Sequence, residues 1–175
     1  MSLLTFKSGI HPAYKKNSTE ATAICAAKLP KKVVIPLQQH IGAPNKPLVK
    51  KGDLVKTGQK IAGCDAFVSS PVHASISGKV KAVGPALHPS GQLITSVTIE
   101  SDGKDEFFES DPGKREYADL SSDEIRGIAK DAGIVGLGGA AFPTHVKLSP
   151  PKEKKIDAVI LNGAGCEPYL TADHR

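Results

Sequence analysis

The chain has 175 residues, 39% hydrophobic and 23% charged, a globular balance with room for one domain or one and a half. With no Trp and only 5% aromatics the core must rest on Val, Ile, Leu and Ala, and 17 Gly with 13 Pro favour short strands over long helices. The net charge of +5 comes from lysines crowded between Lys28 and Lys81, yet Phe67 is the only aromatic between Lys28 and Glu100, which argues against a nucleic-acid surface.

Lysines on solvent faces and strand edges account for that charge, because they oppose edge pairing. Attraction to an acidic protein or an anionic membrane stays open. Cys25, Cys64 and Cys166 lie far apart without C-x-x-C spacing, so they predict free thiols in a reducing compartment rather than a zinc or iron–sulfur site. The opening MSLLTFKSGIHP is too short and polar for a signal peptide, and no apolar run approaches the length of a membrane span.

In chain order, residues 1–30 read as an extended arm, rich in Gly, Pro, Lys and small residues. Residues 31–100 read as β. VVIPL is an apolar run, and Gly52-Asp53, Gly58-Gln59 and Ser77-Gly78 punctuate short β-branched segments. Lys79-Val80-Lys81-Ala82-Val83 alternates as a half-buried strand should. Residues 101–120, acidic and turn-rich, read as a linker. Ser121 and Glu124 form a capping-box pair opening a helix with Ile125, Ile128, Ala129 and Ala132 on one face, and Gly133 stands where a C′ glycine belongs. Ile156–Leu161 reads as a buried strand ending at Asn162.

Between the predicted helix and strand lies GIVGLGGAAFPTHVK, Gly133 to Lys147, in which side chains almost vanish. Such a run lets backbone N–H groups approach a flat or phosphorylated ligand closely. A second small-residue turn, Asn162-Gly163-Ala164-Gly165-Cys166-Glu167-Pro168, follows the predicted strand. Gly136-x-Gly138-x-x-Ala141 matches the relaxed dinucleotide fingerprint only formally, because a helix precedes it and Asp157 begins the next strand instead of ending it. A glycine-rich linker, or close helix–strand packing, is the plainer reading of the spacing. His11, His40, His73, His88, His145 and His174 show no ligand spacing and read as surface or turn residues. Cys166 beside Glu167 lacks a partnered histidine and reads as an idle thiol.

Two resemblances sharpen this reading. The wording V-x-x-G-D-x-V-x-x-G-Q-x-I, then S-P-V-x-A-x-x-S-G-x-V, resembles the lipoyl and biotinyl carrier domains. The interval Ala62–Ser69, where those carriers bear a modified lysine, has none here, so the resemblance implies the fold and not a swinging arm. GLGGAAFPTHVK and NGAGCEPYLTADHR resemble the two loops of the flavin-binding subunit of respiratory complex I. Together with GIHP, PLQQHIGAPNKPLVKKGDLVKTGQKI and SSPVHASISGKV they resemble the RnfC (or RsxC) family of the Rnf electron-transport complex, from about Phe6 to Arg175.

The resemblance implies a mainly β barrel-sandwich hybrid domain followed by the start of an α/β flavin-binding domain over 121–175, cut short as an N-terminal fragment. It implies FMN and NAD(H) in the full domain and two 4Fe-4S clusters in the parent's further C-terminal part. No firmly bound cofactor is expected in the fragment, and no turnover. The expected partners are other Rnf subunits at the membrane and, through the complex, ferredoxin, with the subunit peripheral on the cytoplasmic side. A non-catalytic subunit-docking module is the alternative. By motif, Gly136, Gly138, Gly139 and Ala140 would bring backbone close to flavin, Phe142 would lie near the nicotinamide, and Lys147 would meet phosphate or ribityl oxygens. Asn162 would hydrogen-bond the flavin and Glu167 would lie near the ring edge or the nicotinamide. The complex I pattern has arginine at Leu137 and acids at Ala164 and Gly165, so two departures fall inside the site.

Overall fold

The computed structural model describes residue 10 and residues 13–109, 116–137, 139, 141–151, 153–163, 165 and 167–172. The chain divides into two compact units, Lys28–Lys154 and a smaller one joining Met1–Ala27 to Lys155–Arg175.

The larger unit is built on two antiparallel sheets. The first contains β1 (Lys32–Pro36), β7 (Leu93–Ser101), β6 (Gly78–Leu87) and β3 (Leu54–Val55), in that order. The second contains β2 (Lys46–Pro47), β4 (Lys60–Gly63) and β5 (Val72–His73), ordered β2-β4-β5. This is a barrel-sandwich hybrid of short strands, and its core is aliphatic as the composition requires. Leu37, Val55, Ile61, Ile76, Val80, Val97 and Ile99 form one buried cluster. Fully burying each such side chain contributes roughly 1.5–3 kcal/mol.

In β6, Val80 is buried between exposed Lys79 and Lys81, as expected from the alternation. The register then shifts between Val80 and Ala82: Val80 faces Ile99, and Ala82 faces Thr98. The extra residue is a β-bulge that resets the alternation, so Ala82 is exposed. Lys81 meets Glu100 across the ladder at 2.9 Å, and that ammonium holds the Glu100 carboxyl below its ordinary range. The linker is tied to the sandwich at its start, where Thr57 N–H donates to Glu106 O and Phe108 N–H to Thr57 O, both at 2.8 Å.

Helix α1 (Ser122–Asp131) starts at a complete capping box between Ser121 and Glu124. It ends in a Schellman motif: Gly133 N–H donates to Lys130 O at 2.9 Å and Ile134 N–H to Ala129 O at 3.2 Å. Gly133 has φ +70°, and a Cβ there would also come within 2.9 Å of Pro71 O and 3.1 Å of the His73 ring. The helix terminus thus closes against β5, with Lys60 bonded to Asp131 at 2.8 Å.

Three expectations need correction. Ile156–Leu161 forms no strand, and Ile160 and Leu161 are 90% and 91% exposed, because no described segment supplies the hydrogen-bond ladder a strand needs. His40 and His145 are buried instead of lying at the surface. Ser70 N–H donates to His40 Nε2 at 3.0 Å, and His40 Nδ1 lies 3.2 Å from Ile41 O, so backbone partners compensate its burial. The arm is also not merely extended: it makes a short 3-10 turn at Lys16–Ser18 and bonds to the chain's far end.

Ile61 has no exposed surface, whereas Leu54 is 77% exposed. Ile61→Ala is expected to cost about 2–5 kcal/mol and Leu54→Ala no more than about 0.5 kcal/mol, read as urea midpoints of the chain at constant m-value.

Candidate functional site

The glycine-rich stretch emerges from the Schellman end of α1 and turns back on itself. Val135 and Pro143 form an antiparallel bridge. Gly136 N–H donates to Phe142 O at 2.9 Å, and Thr144 N–H to Ile134 O at 3.0 Å. The loop between them includes Gly139 at φ +68° and Ala141 at φ +48°, and Leu137 is 96% exposed at its tip. Four-residue helix α2 (Thr144–Lys147) follows and directs Lys147 back over the loop. A Cβ on Gly136 would lie 2.6 Å from Lys147 Nζ and 3.8 Å from Phe142 N, so a side chain there would require the flexible end of Lys147 to shift off the loop.

The structure therefore brings Gly136, Phe142 and Lys147 together, with Gly139 exposed on the same loop. Gly138 and Ala140 lie outside the described residues, as do Ala164 and Cys166. Asn162 and Glu167 are exposed in the smaller unit. No ion pair to Lys147 occurs among the described residues. An exposed, unneutralised ammonium beside a side-chain-poor backbone loop can receive a phosphate or another anion.

Sequence reasoning missed the residue that seats this loop. His145 is 4% exposed, its Nε2–H donates to Phe67 O at 2.9 Å, and its ring meets the Phe67 ring edge-on at 6.0 Å and 85°. Its Nδ1 has no hydrogen-bond partner among the described residues. The signal available in the sequence was position alone: a polar ring two residues before Lys147 on a single helical turn, where it must point away from the lysine. Phe67 belongs to the Ala62–Ser69 interval, so the hairpin tip that bears a lysine in carrier domains here receives the loop.

Near this junction the His73 imidazole is held below its ordinary value of 6.5, by burial first and the Lys60 ammonium second. A hydrogen bond to the Asp131 carbonyl and the Asp131 charge oppose the shift.

Residues 4–104 match the family described as the RnfC barrel sandwich hybrid domain, and residues 129–175 match the Nuo51 FMN-binding domain. The chain is 54% identical over 173 residues to the C subunit of the proton-translocating ferredoxin:NAD(+) oxidoreductase complex of Clostridium ljungdahlii, covering 99% of this chain and 38% of that protein. It is 55% identical to the Na(+)-translocating counterpart of Acetobacterium woodii, covering 97% of this chain and 38% of that protein. It is 42% identical to the C subunit of the ion-translocating oxidoreductase complex of Rhodobacter capsulatus, covering 98% of this chain and 33% of that protein. The chain thus spans between a third and two-fifths of the length of these three relatives.

Two outcomes are expected. His145→Phe keeps the ring and removes the donor to Phe67 O, so urea denaturation should show a loss of about 1–3 kcal/mol. For His73, the unfolded state binds the proton more readily. Its contribution is therefore complete above pH 6.5 and is lost as the pH falls below that value toward the depressed folded pKa. His73→Gln should make melting temperature fall less steeply than in wild type as the pH drops through that window.

Proposed function

The chain belongs to the RnfC family, and from that premise we propose that it is the N-terminal part of a subunit handling FMN and NADH in a ferredoxin:NAD oxidoreductase coupled to ion transport. In this reading the sandwich domain carries the first portion of a flavin site and seats its glycine-rich loop. The observation that supports it is the placement of Lys147 Nζ over Gly136, where a Cβ would stand 2.6 Å away. The fit to a phosphate-bearing cofactor is good: the cation is exposed, no described carboxylate pairs with it, and the adjacent backbone carries almost no side chains.

When bound, FMN would supply the redox chemistry between two-electron and one-electron carriers. This chain's residues bind and orient. Lys147 would pair with a phosphate or donate to ribityl oxygens, Gly136, Gly138, Gly139 and Ala140 would let the backbone approach, and Phe142 would lie on the nicotinamide side. Asn162 would hydrogen-bond the flavin, and Glu167 would serve near its ring edge or the nicotinamide. Leu137, standing where complex I has arginine, leaves Lys147 as the principal cation of the glycine loop.

The two 4Fe-4S clusters of such a subunit would lie on residues beyond this chain, since Cys25, Cys64 and Cys166 lack cluster spacing. No helix among the described residues is long and apolar enough to cross a membrane. Peripheral attachment on the cytoplasmic face, through other Rnf subunits, is part of the same proposal. One observation favours a subunit-docking role as a second reading. Leu87 and Leu93, cross-strand partners at the end of the β6–β7 ribbon, are 75% and 71% exposed.

Titration of FMN fluorescence with the full-length subunit tests the site. Lys147→Ala should weaken FMN binding about 10-fold or more, the loss of roughly one charge-assisted hydrogen bond. Gly136→Ala should weaken it by displacing the ammonium while leaving the fold intact. The double variant should bind at least as weakly as Lys147→Ala but by less than the sum of the two losses, because the alanine acts in part through the displaced ammonium. Equal binding by all four proteins would remove the assignment.

A further inference from the structure

We infer that Lys16 is a positioning residue for the loop that carries Glu167, a role resting on the cofactor reading above. The smaller unit brings an ammonium from the N-terminal arm into a ring of backbone acceptors. Lys16 Nζ donates to Gly165 O, to Leu170 O at 2.6 Å and to Glu167 O at 3.3 Å. An ammonium has three donors, and each here meets a carbonyl 149 to 154 residues away in sequence. The same cation lies 5.8 Å from the centre of the Tyr14 ring.

The arm adds two further bonds. Lys15 N–H donates to Pro168 O at 3.1 Å, and Thr19 Oγ1–H to Tyr169 O at 2.9 Å. Five donations from Lys15, Lys16 and Thr19 therefore reach five carbonyls between Gly165 and Leu170. Only those of Lys16 carry a full charge, and charge-assisted bonds are about twice as strong as neutral ones.

This geometry accounts for the glycine that departs from the complex I pattern. Gly165 has φ +54°, a left-handed conformation that glycine adopts without strain, and in it the Gly165 carbonyl reaches the ammonium. Lys16 touches neither flavin nor nicotinamide in this account. It sets the path of the backbone on which Glu167 is mounted.

The experiment uses the full-length subunit as Lys16→Met, Lys16→Arg and Lys15→Met. The last is a control, because it removes a neighbouring exposed charge while keeping the Lys15 N–H. Amide exchange over residues 165–172 reads the clamp, FMN fluorescence titration reads the site, and KM for NADH is compared with kcat. Lys16→Met should speed exchange in that loop without changing it in β7, and should weaken FMN binding about 10-fold. It should raise KM for NADH more than it lowers kcat. Lys16→Arg should recover most of the affinity, and Lys15→Met should match wild type. FMN affinity and KM unchanged in Lys16→Met would overturn the inference, as would an equal loss in Lys15→Met. Wild type that fails to quench FMN would instead overturn the cofactor reading, and this inference with it.

Discussion

A loop made of glycine and alanine has no side chains with which to hold its own shape, and fixing its backbone costs about 1–2 kcal/mol per residue. Its conformation must therefore be imposed by groups outside it. Both small-residue loops meet this constraint in the same manner, through a side chain that donates to backbone carbonyls. At the first, His145 is buried just beyond the loop and bonds to Phe67 O, fixing the end of α2. At the second, Lys16 gathers three carbonyls of the loop itself.

The choice of donor follows from burial. The buried seat is filled by an imidazole whose Nε2–H finds a backbone acceptor, which compensates its burial. A half-buried seat ringed by carbonyls suits an ammonium, whose three protons are satisfied and whose stem can lie along the surface. The remaining lysines behave differently. Lys81 with Glu100, Lys56 with Glu106 and Lys60 with Asp131 are exposed pairs on the sandwich, each worth little singly. The positive charge of the chain is thus mostly solvation of short strands, and a few cations have structural work at the loops.

Much of the fold was legible because its determinants are local. The capping box at Ser121 and Glu124, the C′ glycine at Gly133 and the alternation through Val80 are sequence-neighbour effects, and all three are present. The bulge after Val80 was not legible, since it depends on the register of β6 against β7. Ile156–Leu161 has the composition of a strand, but a strand exists only with a partner, and composition cannot supply one. At the candidate site the glycines and Lys147 stood out by residue type. His145 and Lys16 did not, because their roles come from contacts across 78 and about 150 residues, which no local pattern encodes.

The Ala62–Ser69 tip shows how one scaffold position changes use with its chemistry. A carrier domain needs a tip that presents a lysine to solvent. Here Ser69 is buried, and its single hydroxyl proton is shared between Ala66 O at 2.5 Å and Cys64 O at 3.1 Å, so the tip is braced internally. Ala43 N–H adds a bond to Val68 O at 2.9 Å from the neighbouring turn. A tip stiffened in this way cannot swing, but it can offer Phe67 O at a fixed point, which is what His145 requires. Once the lysine is absent, rigidity at this position costs nothing in function, and the tip becomes a seat for the loop that follows the helix. The position of Lys147 over Gly136 then depends on the sandwich domain as much as on the glycines beside it.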